Sequence, residues 1–119
     1  MLATNTYFAG QDIFDGKSQS VRDLYGLLVD ELKKLGPFHE IKKAISISFE
    51  NSRPFASVLV RNRSIKLVLR TQHRITNKRI LSTERVANHS FDHTVLLDTK
   101  SDIDEELMEW LGEAYQSSK

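Results

Sequence analysis

Nine Lys and Arg side chains lie between positions 51 and 89, where Glu84 is the only acid, and they are the residues best suited to bind an anion. They are Arg53, Arg61, Arg63, Lys66, Arg70, Arg74, Lys78, Arg79 and Arg85. This interval therefore carries +8 (nine minus one), whereas residues 90–119, with two cations and eight acids, carry −6. Because Lys and Arg neutralise phosphates, the asymmetry indicates a surface for nucleic acid or another anionic partner, such as an acidic protein surface. An acidic last helix packed beside a basic sheet is the alternative, and it explains both charge blocks without a ligand.

Eight of these cations are candidates for the anion-binding or nucleic-acid-binding surface. Lys66 and Arg70 alternate with apolar residues, so both should point to one face of a strand, with Arg61 and Arg63 at the turn before it. The eight candidates are Arg61, Arg63, Lys66, Arg70, Arg74, Lys78, Arg79 and Arg85. Exposed aromatic residues that could stack on bases are scarce, which disfavours a sequence-specific reader of single strands.

His93 and Lys43 form a second candidate, a polar site, because histidine titrates near neutral pH. No nucleophile or carboxylate can be assigned to His93, and a partly buried, hydrogen-bonded strand residue is the competing interpretation. His89 and His93 have the i, i+4 spacing of zinc ligands on a helix, but they fall in a turn-and-strand region, and the chain has no cysteine. We therefore expect neither a metal site nor a cofactor.

The acidic run Asp102–Glu106 is the remaining candidate for catalysis, as a set of paired carboxylates. Its position at the start of a helix already explains it, because carboxylates there oppose the positive end of the helix dipole. The five glycines are scattered and form no phosphate-binding or dinucleotide fingerprint, and no Gly-x-Ser-x-Gly motif occurs. The sequence therefore favours a protein that is not an enzyme.

Length and composition favour one domain in a reducing compartment. A chain of 119 residues fits a single domain with its own core, and the absence of cysteine removes any disulfide framework. The first fifteen residues have neither the basic start nor the apolar run of a signal peptide. No stretch approaches the ~20 apolar residues that cross a bilayer. We expect a cytoplasmic protein without a membrane partner.

The elements that must position these residues follow from the period of the apolar pattern. Ser18 and Ser20 offer N-caps for a helix of about fifteen residues. Its apolar residues recur at helical spacing, and Gly36 with Pro37 should end it in a left-handed cap. From residue 43 the period becomes 2, as in strands. The predicted strands are Ala44–Glu50, Phe55–Arg61, Ser64–Arg70, Arg79–Ala87 and Phe91–Asp98, with residues 71–78 as a polar loop.

The last helix is expected to begin at Ser101 as N-cap, with Asp104 as the acidic member of a capping box. The predicted class is α+β, an antiparallel sheet of four to five strands with an N-terminal and a C-terminal helix on one face, in the order α-β-β-β-β-β-α. The predicted boundaries are an N-terminal arm at 1–17, one domain at 18–116 and a C-terminal tail at 117–119.

Several short motifs give the chain a resemblance to the bacterial family of domain of unknown function 5655, over roughly residues 8–116. The motifs are Leu35-Gly36-Pro37, Lys42-Lys43-Ala44-Ile45-Ser46, Phe55-Ala56, His93 with Leu96, and the closing run from Asp104 to Tyr115 that contains Trp110 and Leu111. The closing run is the most specific. The sequence departs from the family at 87–91, where only Phe91 is aromatic. The resemblance implies no catalytic residue. Members of the family often stand alone or lie beside nuclease-like domains, so the resemblance implies a nucleic-acid context by association alone.

Two functions from different classes remain open. The first is a small binding module that contacts nucleic acid or another anionic partner through the basic surface. The second is a protein-interaction or homodimerisation domain, which a helix-free sheet face carrying Ala56, Val58, Val60 and Val68 would favour. A small-molecule pocket between helices and sheet is a third, weaker alternative.

Overall fold

A single sheet with two helices makes up the fold of residues 13–119, which are the residues that the computed structural model describes. The elements are α1 (Gln19–Lys33), β1 (His39–Lys42), β2 (Ile47–Glu50), β3 (Pro54–Val60), β4 (Ile65–Thr71), β5 (Ile80–Ala87), β6 (Ser90–Leu97), a 3-10 turn (Lys100–Asp102) and α2 (Glu105–Ser117). The α+β class is confirmed. The sheet has six strands, which corrects the predicted four to five and the predicted element order. No helix within the described range is both long and apolar enough to cross a membrane.

Helix α1 forms where the sequence predicts it, and with the predicted length of 15 residues. The Ser18 hydroxyl accepts a hydrogen bond from the Val21 N–H at 3.3 Å and caps the first turn. One stripe of the helix, which includes Leu24, Leu28 and Leu32, is buried. The chain leaves the helix through Gly36, whose φ of +141° lies outside the range that residues with a side chain adopt readily.

The six strands pair only with antiparallel neighbours, in the spatial order β1-β2-β3-β4-β6-β5. The β3–β4 hairpin aligns Ala56 with Leu69 and Val60 with Ile65. Strand β6 lies between β4 and β5. The loop after β4 therefore leads to β5 at the outer edge of the sheet, and β6 then pairs with both β4 and β5. The sheet therefore has β1 at one edge and β5 at the other.

Strand β1 is the element that the sequence failed to predict. All four of its residues are exposed, so it lacks the apolar alternation of a half-buried strand. Pairing with β2 and a hydrogen bond from the Tyr25 hydroxyl to the Glu40 carboxylate hold it in place. Burial raises the pKa of Tyr25 far above its usual range, so this hydroxyl stays a donor. The predicted Ala44–Glu50 strand begins only at Ile47, and Ile45 lies in the preceding turn with 72% of its surface exposed.

Both helices pack on the same face of the sheet, as predicted, and both contact β4. Ile47, Val58, Leu67 and Val95 form one row across that face and are buried. Ala56, Val58 and Val60 belong to this buried face, which corrects their assignment to a helix-free face. Of that predicted set, only Val68 alternates to the opposite face, which we call the open face.

Asp104 caps α2, which corrects the predicted cap at Ser101. Its carboxylate accepts the Leu107 N–H at 2.9 Å, and this hydrogen bond, together with Arg79, lowers the pKa of Asp104. Asp102 instead accepts the Thr99 N–H at 3.0 Å and closes the 3-10 turn ahead of the helix. The cap falls three residues later than predicted because Asp102 and Asp104 serve two successive turns.

Candidate anion-binding site on the open face

The open face carries a row of small side chains that leaves a depression in the sheet. Ser48, Ser57, Val68 and Thr94 lie side by side on β2, β3, β4 and β6. Because none of these side chains is large, the surface sinks between the longer residues on either side. The depression has a volume of about 220 Å³, and the side chains that line it include Lys43, Ser46, Ser48, Ser57, Val68, Arg70 and Asp92.

Arg70 stands at one end of the depression, fixed by the opposite residue on β6. Its Nε lies 2.8 Å from Asp92 Oδ1 and its Nη2 lies 3.0 Å from Oδ2, a bidentate ion pair. These hydrogen bonds raise the pKa of Arg70. A guanidinium has five N–H groups, so three of them, two on Nη1 and one on Nη2, remain for a ligand. Asp92 thus orients the cation without using up its donors.

Lys43 and two serine hydroxyls supply further donors to the depression. The Lys43 N–H donates to the Ser46 carbonyl at 2.8 Å, which closes the β1–β2 turn and brings both residues to the rim. Among residues 13–119, the Lys43 ammonium and the Ser46 and Ser57 hydroxyls have no hydrogen-bond partner. The Ser48 hydroxyl, in contrast, donates to Glu50 Oε2 at 3.0 Å.

These groups have the charge and the hydrogen-bond donors that suit a singly charged anion. The lining has two cations, Lys43 and Arg70, against one acid, Asp92, for a net charge of +1. A phosphodiester or a carboxylate matches this charge and accepts hydrogen bonds from ammonium, guanidinium and hydroxyl groups alike. The lining contains no histidine that could act as a base for a serine. Within 13–119, no group of three or more His, Asp or Glu residues is arranged to hold a metal ion.

The structure divides the eight predicted surface cations among different parts of the molecule. Lys66 and Arg70 share the open face, and Arg61 and Arg63 are exposed at the β3–β4 turn. Lys78 is exposed on the loop before β5. The remaining three interact with other parts of the protein, namely Arg79 with α2, Arg74 with the Phe91 ring and Arg85 with its own turn.

Arg79 accounts for part of the charge asymmetry without a ligand. Its Nη1 lies 2.9 Å from Asp104 and 3.3 Å from Glu106, and its Nη2 donates to the Asp102 carbonyl at 2.6 Å. The guanidinium also stacks 5.8 Å from the centre of the Trp110 ring. The acidic start of α2 therefore neutralises a cation of the basic segment.

His93 lies on the helix-packed face, whereas Lys43 lines the depression on the open face, so the two do not form one site. The His93 side chain is fully buried. Nε2 lies 2.9 Å from Thr71 Oγ1, and Nδ1 lies 3.0 Å from Thr83 Oγ1. Because Thr71 donates its own proton to the His73 carbonyl at 2.6 Å, it must accept from Nε2–H. Nδ1 then accepts from Thr83, and this arrangement fits the neutral imidazole.

Burial is the main reason why the pKa of His93 falls below its ordinary 6.5. The hydrogen bond to the His73 carbonyl and the charge of Asp92 oppose this shift, while the charges of His73 and Arg74 add to it. His93 is therefore neutral at physiological pH, and its hydrogen bonds join β4, β5, β6 and the loop after β4.

Sequence reasoning did not select Ser46, Ser57 or Asp92. Ser57 is a small polar residue at an alternate position of an otherwise apolar strand, and that is a usable signal for a depression on a solvent-facing sheet. Asp92 on β6 pairs with Arg70 on β4, which lies 22 residues earlier in the sequence, so only the register of the two strands reveals the contact.

One family matches the chain. The family described as Domain of unknown function (DUF5655) matches residues 11–118, which is almost the whole sequence. The chain therefore belongs to this family. No curated protein and no solved structure matches it.

Proposed function

We propose that this member of the DUF5655 family is a binding module whose open-face depression takes an anionic group, foremost a phosphate of a nucleic acid. One observation carries the proposal. Lys43, Ser46, Ser57 and Arg70 line a single depression, and each has donors that no described residue uses. Solvent-accessible donors gathered in this way, with no acceptor of the protein bound to them, suit a ligand whose acceptor oxygens can replace water.

Arg70 and Asp92 support the proposal because they resemble a preorganised anion receptor. An arginine held by a bidentate carboxylate loses little side-chain freedom when it binds a ligand, so less entropy opposes binding. Asp92 also limits the net charge, which favours a monoanion over a phosphate dianion. The module is proposed to bind rather than to catalyse, since Ser46 and Ser57 have no base beside them in the lining.

Fluorescence anisotropy with short labelled DNA and RNA tests this function at low and near-physiological salt. We expect salt-sensitive binding that the substitution Lys43→Ala weakens about tenfold, because a hydrogen bond between charged groups contributes about 1.5 kcal/mol. Arg70→Ala should weaken binding at least as much, since it also leaves the Asp92 carboxylate to repel the ligand.

Lys78→Ala is the matched control, because it removes the same charge from an exposed loop outside the depression. It should change the affinity much less than Lys43→Ala. Equal losses in the two variants would show that general charge, and not the depression, governs binding. No binding by the wild-type protein at low salt would refute the proposed function.

Self-association is the second candidate, and apolar side chains on the same face favour it. Ile41 and Leu96 are 39% and 37% exposed, and Leu59 lies opposite Lys66 on that face. A second copy covering this face would bury these residues. Sedimentation velocity separates the two functions. If the protein is a binding module, we expect it to sediment as a monomer. A dimer that Leu96→Arg dissociates would favour the second candidate.

A further inference from the structure

The depression continues in both directions along the open side of β3. Ser57 lines the first depression, and Leu59 and Arg61, two and four residues later, line a second one of about 580 Å³ beside the β1–β2 turn. At the other end, Pro54 and Arg70 are shared with a third depression of about 120 Å³, which turns around the end of the sheet and also contacts Ser117 at the end of α2. We call these three depressions the β3 groove.

Cations are distributed along the whole β3 groove. The second depression has Lys17 and Arg61, the first has Lys43 and Arg70, and the third has Arg70 and Arg53. Five cations thus face two acids, Asp15 and Asp92, for a net charge of +3. A compact anion would use only one of these depressions, whereas a chain of phosphates would use all three.

Arg53 and Arg61, the end cations, keep donors for a ligand. Arg53 Nη2 donates to the Ser117 carbonyl at 3.0 Å, and its positive charge offsets the negative end of the α2 dipole. Four of the five guanidinium N–H groups of Arg53 remain available for a ligand. Within the described residues, the Arg61 side chain has no partner. Each end therefore retains donors for a backbone phosphate.

The walls of the β3 groove suit a chain without reading its sequence. Ile45 and Leu59 offer apolar contact for sugars and bases in the second depression. Phe55, the aromatic residue in the lining of the first, is only 1% exposed, so its ring is not available for stacking. Stacking on exposed aromatic rings contributes to the base preference of single-strand readers, and no exposed aromatic side chain is among the residues that line the three depressions.

We propose that the β3 groove binds a single-stranded stretch of nucleic acid of about four nucleotides along β3, with little sequence preference. The inference rests on the proposed function and extends it to the kind of nucleic acid. The first depression, with a volume of about 220 Å³, is too small to hold a duplex. The seven residues of β3 extend for about 23 Å at ~3.3 Å per residue, enough for several phosphates.

The test combines oligonucleotide length with salt dependence, read by fluorescence anisotropy. Oligothymidylates should gain affinity steeply up to about four nucleotides and only weakly beyond. With a twelve-nucleotide probe, log K against log salt should fall with a slope of about −2.8, for about four phosphates at 0.7 each. Arg53→Ala and Arg61→Ala should each reduce the magnitude of this slope by about 0.7.

Arg63→Ala is the control for Arg61→Ala, because both residues lie in the exposed β3–β4 turn but only Arg61 lines the groove. A slope near −0.7 that neither Arg53→Ala nor Arg61→Ala changes would overturn the proposal that the β3 groove binds a strand. If Lys43→Ala still weakened binding in that case, the proposed binding of a single anionic group would remain supported. Tighter binding of a duplex than of its separated strands would also overturn the proposal that the groove binds a strand. A wild-type protein that binds no probe would refute the proposed function itself.

Discussion

Replacing Gly36 by alanine is expected to lower the free energy of unfolding by about 3 kcal/mol. Two costs add at this position. The backbone has φ +141°, which a residue with a side chain rarely adopts. A Cβ built there would also meet the hydroxyl of Tyr115, a buried residue that donates to the Pro37 carbonyl at 2.7 Å. Because that hydroxyl is held by its hydrogen bond and its ring by Phe55, it cannot simply move away.

Urea unfolding of Gly36→Ala beside two other variants measures these costs. Gly26 lies on the exposed side of α1 with nothing within 4 Å of its Cβ position, so Gly26→Ala should stabilise the protein by up to about 1 kcal/mol. Tyr115→Phe removes the clashing oxygen and should make the loss caused by Gly36→Ala smaller in the double variant. If Gly36→Ala unfolded at the same urea concentration as the wild type, the described exit from α1 would be wrong.

The contact between Gly36 and Tyr115 also explains why the ends of this fold belong together. Tyr115 joins the last turn of α2 to the segment between α1 and β1, 78 residues earlier. Nearby, the Arg53 N–H donates to the Ser118 carbonyl at 3.1 Å, so β3 is tied to the same end of α2. The closing motif of the sequence therefore fixes the turn that positions β1 and, through it, the rim of the depression.

The sequence predicted those elements that bury an alternating or helical apolar stripe. Leu24 and Leu28 in α1 and Leu67 in β4 are such residues, and these elements were predicted correctly. It failed for β1, whose exposed residues carry no period, since main-chain pairing and Tyr25 hold this strand. The predicted start of β2 at Ala44 was wrong because of Ile45. An apolar residue that alternates with polar ones is typical of a strand, but Ile45 lies in an exposed turn.

The candidate site was less predictable than the fold because it depends on contacts between distant strands. Sequence reasoning placed Lys66 and Arg70 on one face correctly from their alternation. It could not place Asp92 opposite Arg70, because the order β4-β6-β5 is not encoded in any local pattern. It also grouped Arg79 with Arg70 as surface cations, although the two lie on different sides of the molecule.

The two explanations of the charge asymmetry concern different sets of residues. The loop after β4 follows the neutralisation explanation, since Arg79 pairs with Asp104 and His73 Nδ1 lies 2.7 Å from Glu113 on α2. Lys43, Arg61 and Arg70 have no acidic helix beside them, because α2 packs on the opposite face, and Arg53 contacts only the carbonyl end of α2. The proposed ligand therefore concerns the open face alone, and we expect variants of the loop cations to alter stability more than binding.

Replacing His93 by alanine is the second large effect that we expect, a loss of about 3 kcal/mol of unfolding free energy. The imidazole is fully buried, so its removal leaves a cavity. It also leaves the Thr83 hydroxyl without its partner at 3.0 Å. Urea unfolding at pH 7.5 measures this loss, although any well-packed residue would give a loss of similar size.

Dependence on pH distinguishes a buried neutral histidine from a residue that only packs. Because the pKa of His93 in the folded protein lies below the ordinary 6.5, the unfolded chain takes up a proton first as the pH falls. Stability is therefore fully present above pH 6.5 and is lost as the pH falls below it, by at most about 1.4 kcal/mol per pH unit, until His93 in the folded protein is itself protonated. His93→Ala should remove this part of the slope, while His39, His73 and His89 remain in both proteins as an internal control. NMR titration of the His93 ring in the wild-type protein provides an independent readout, and a midpoint at or above pH 6.5 would contradict the neutral, buried imidazole.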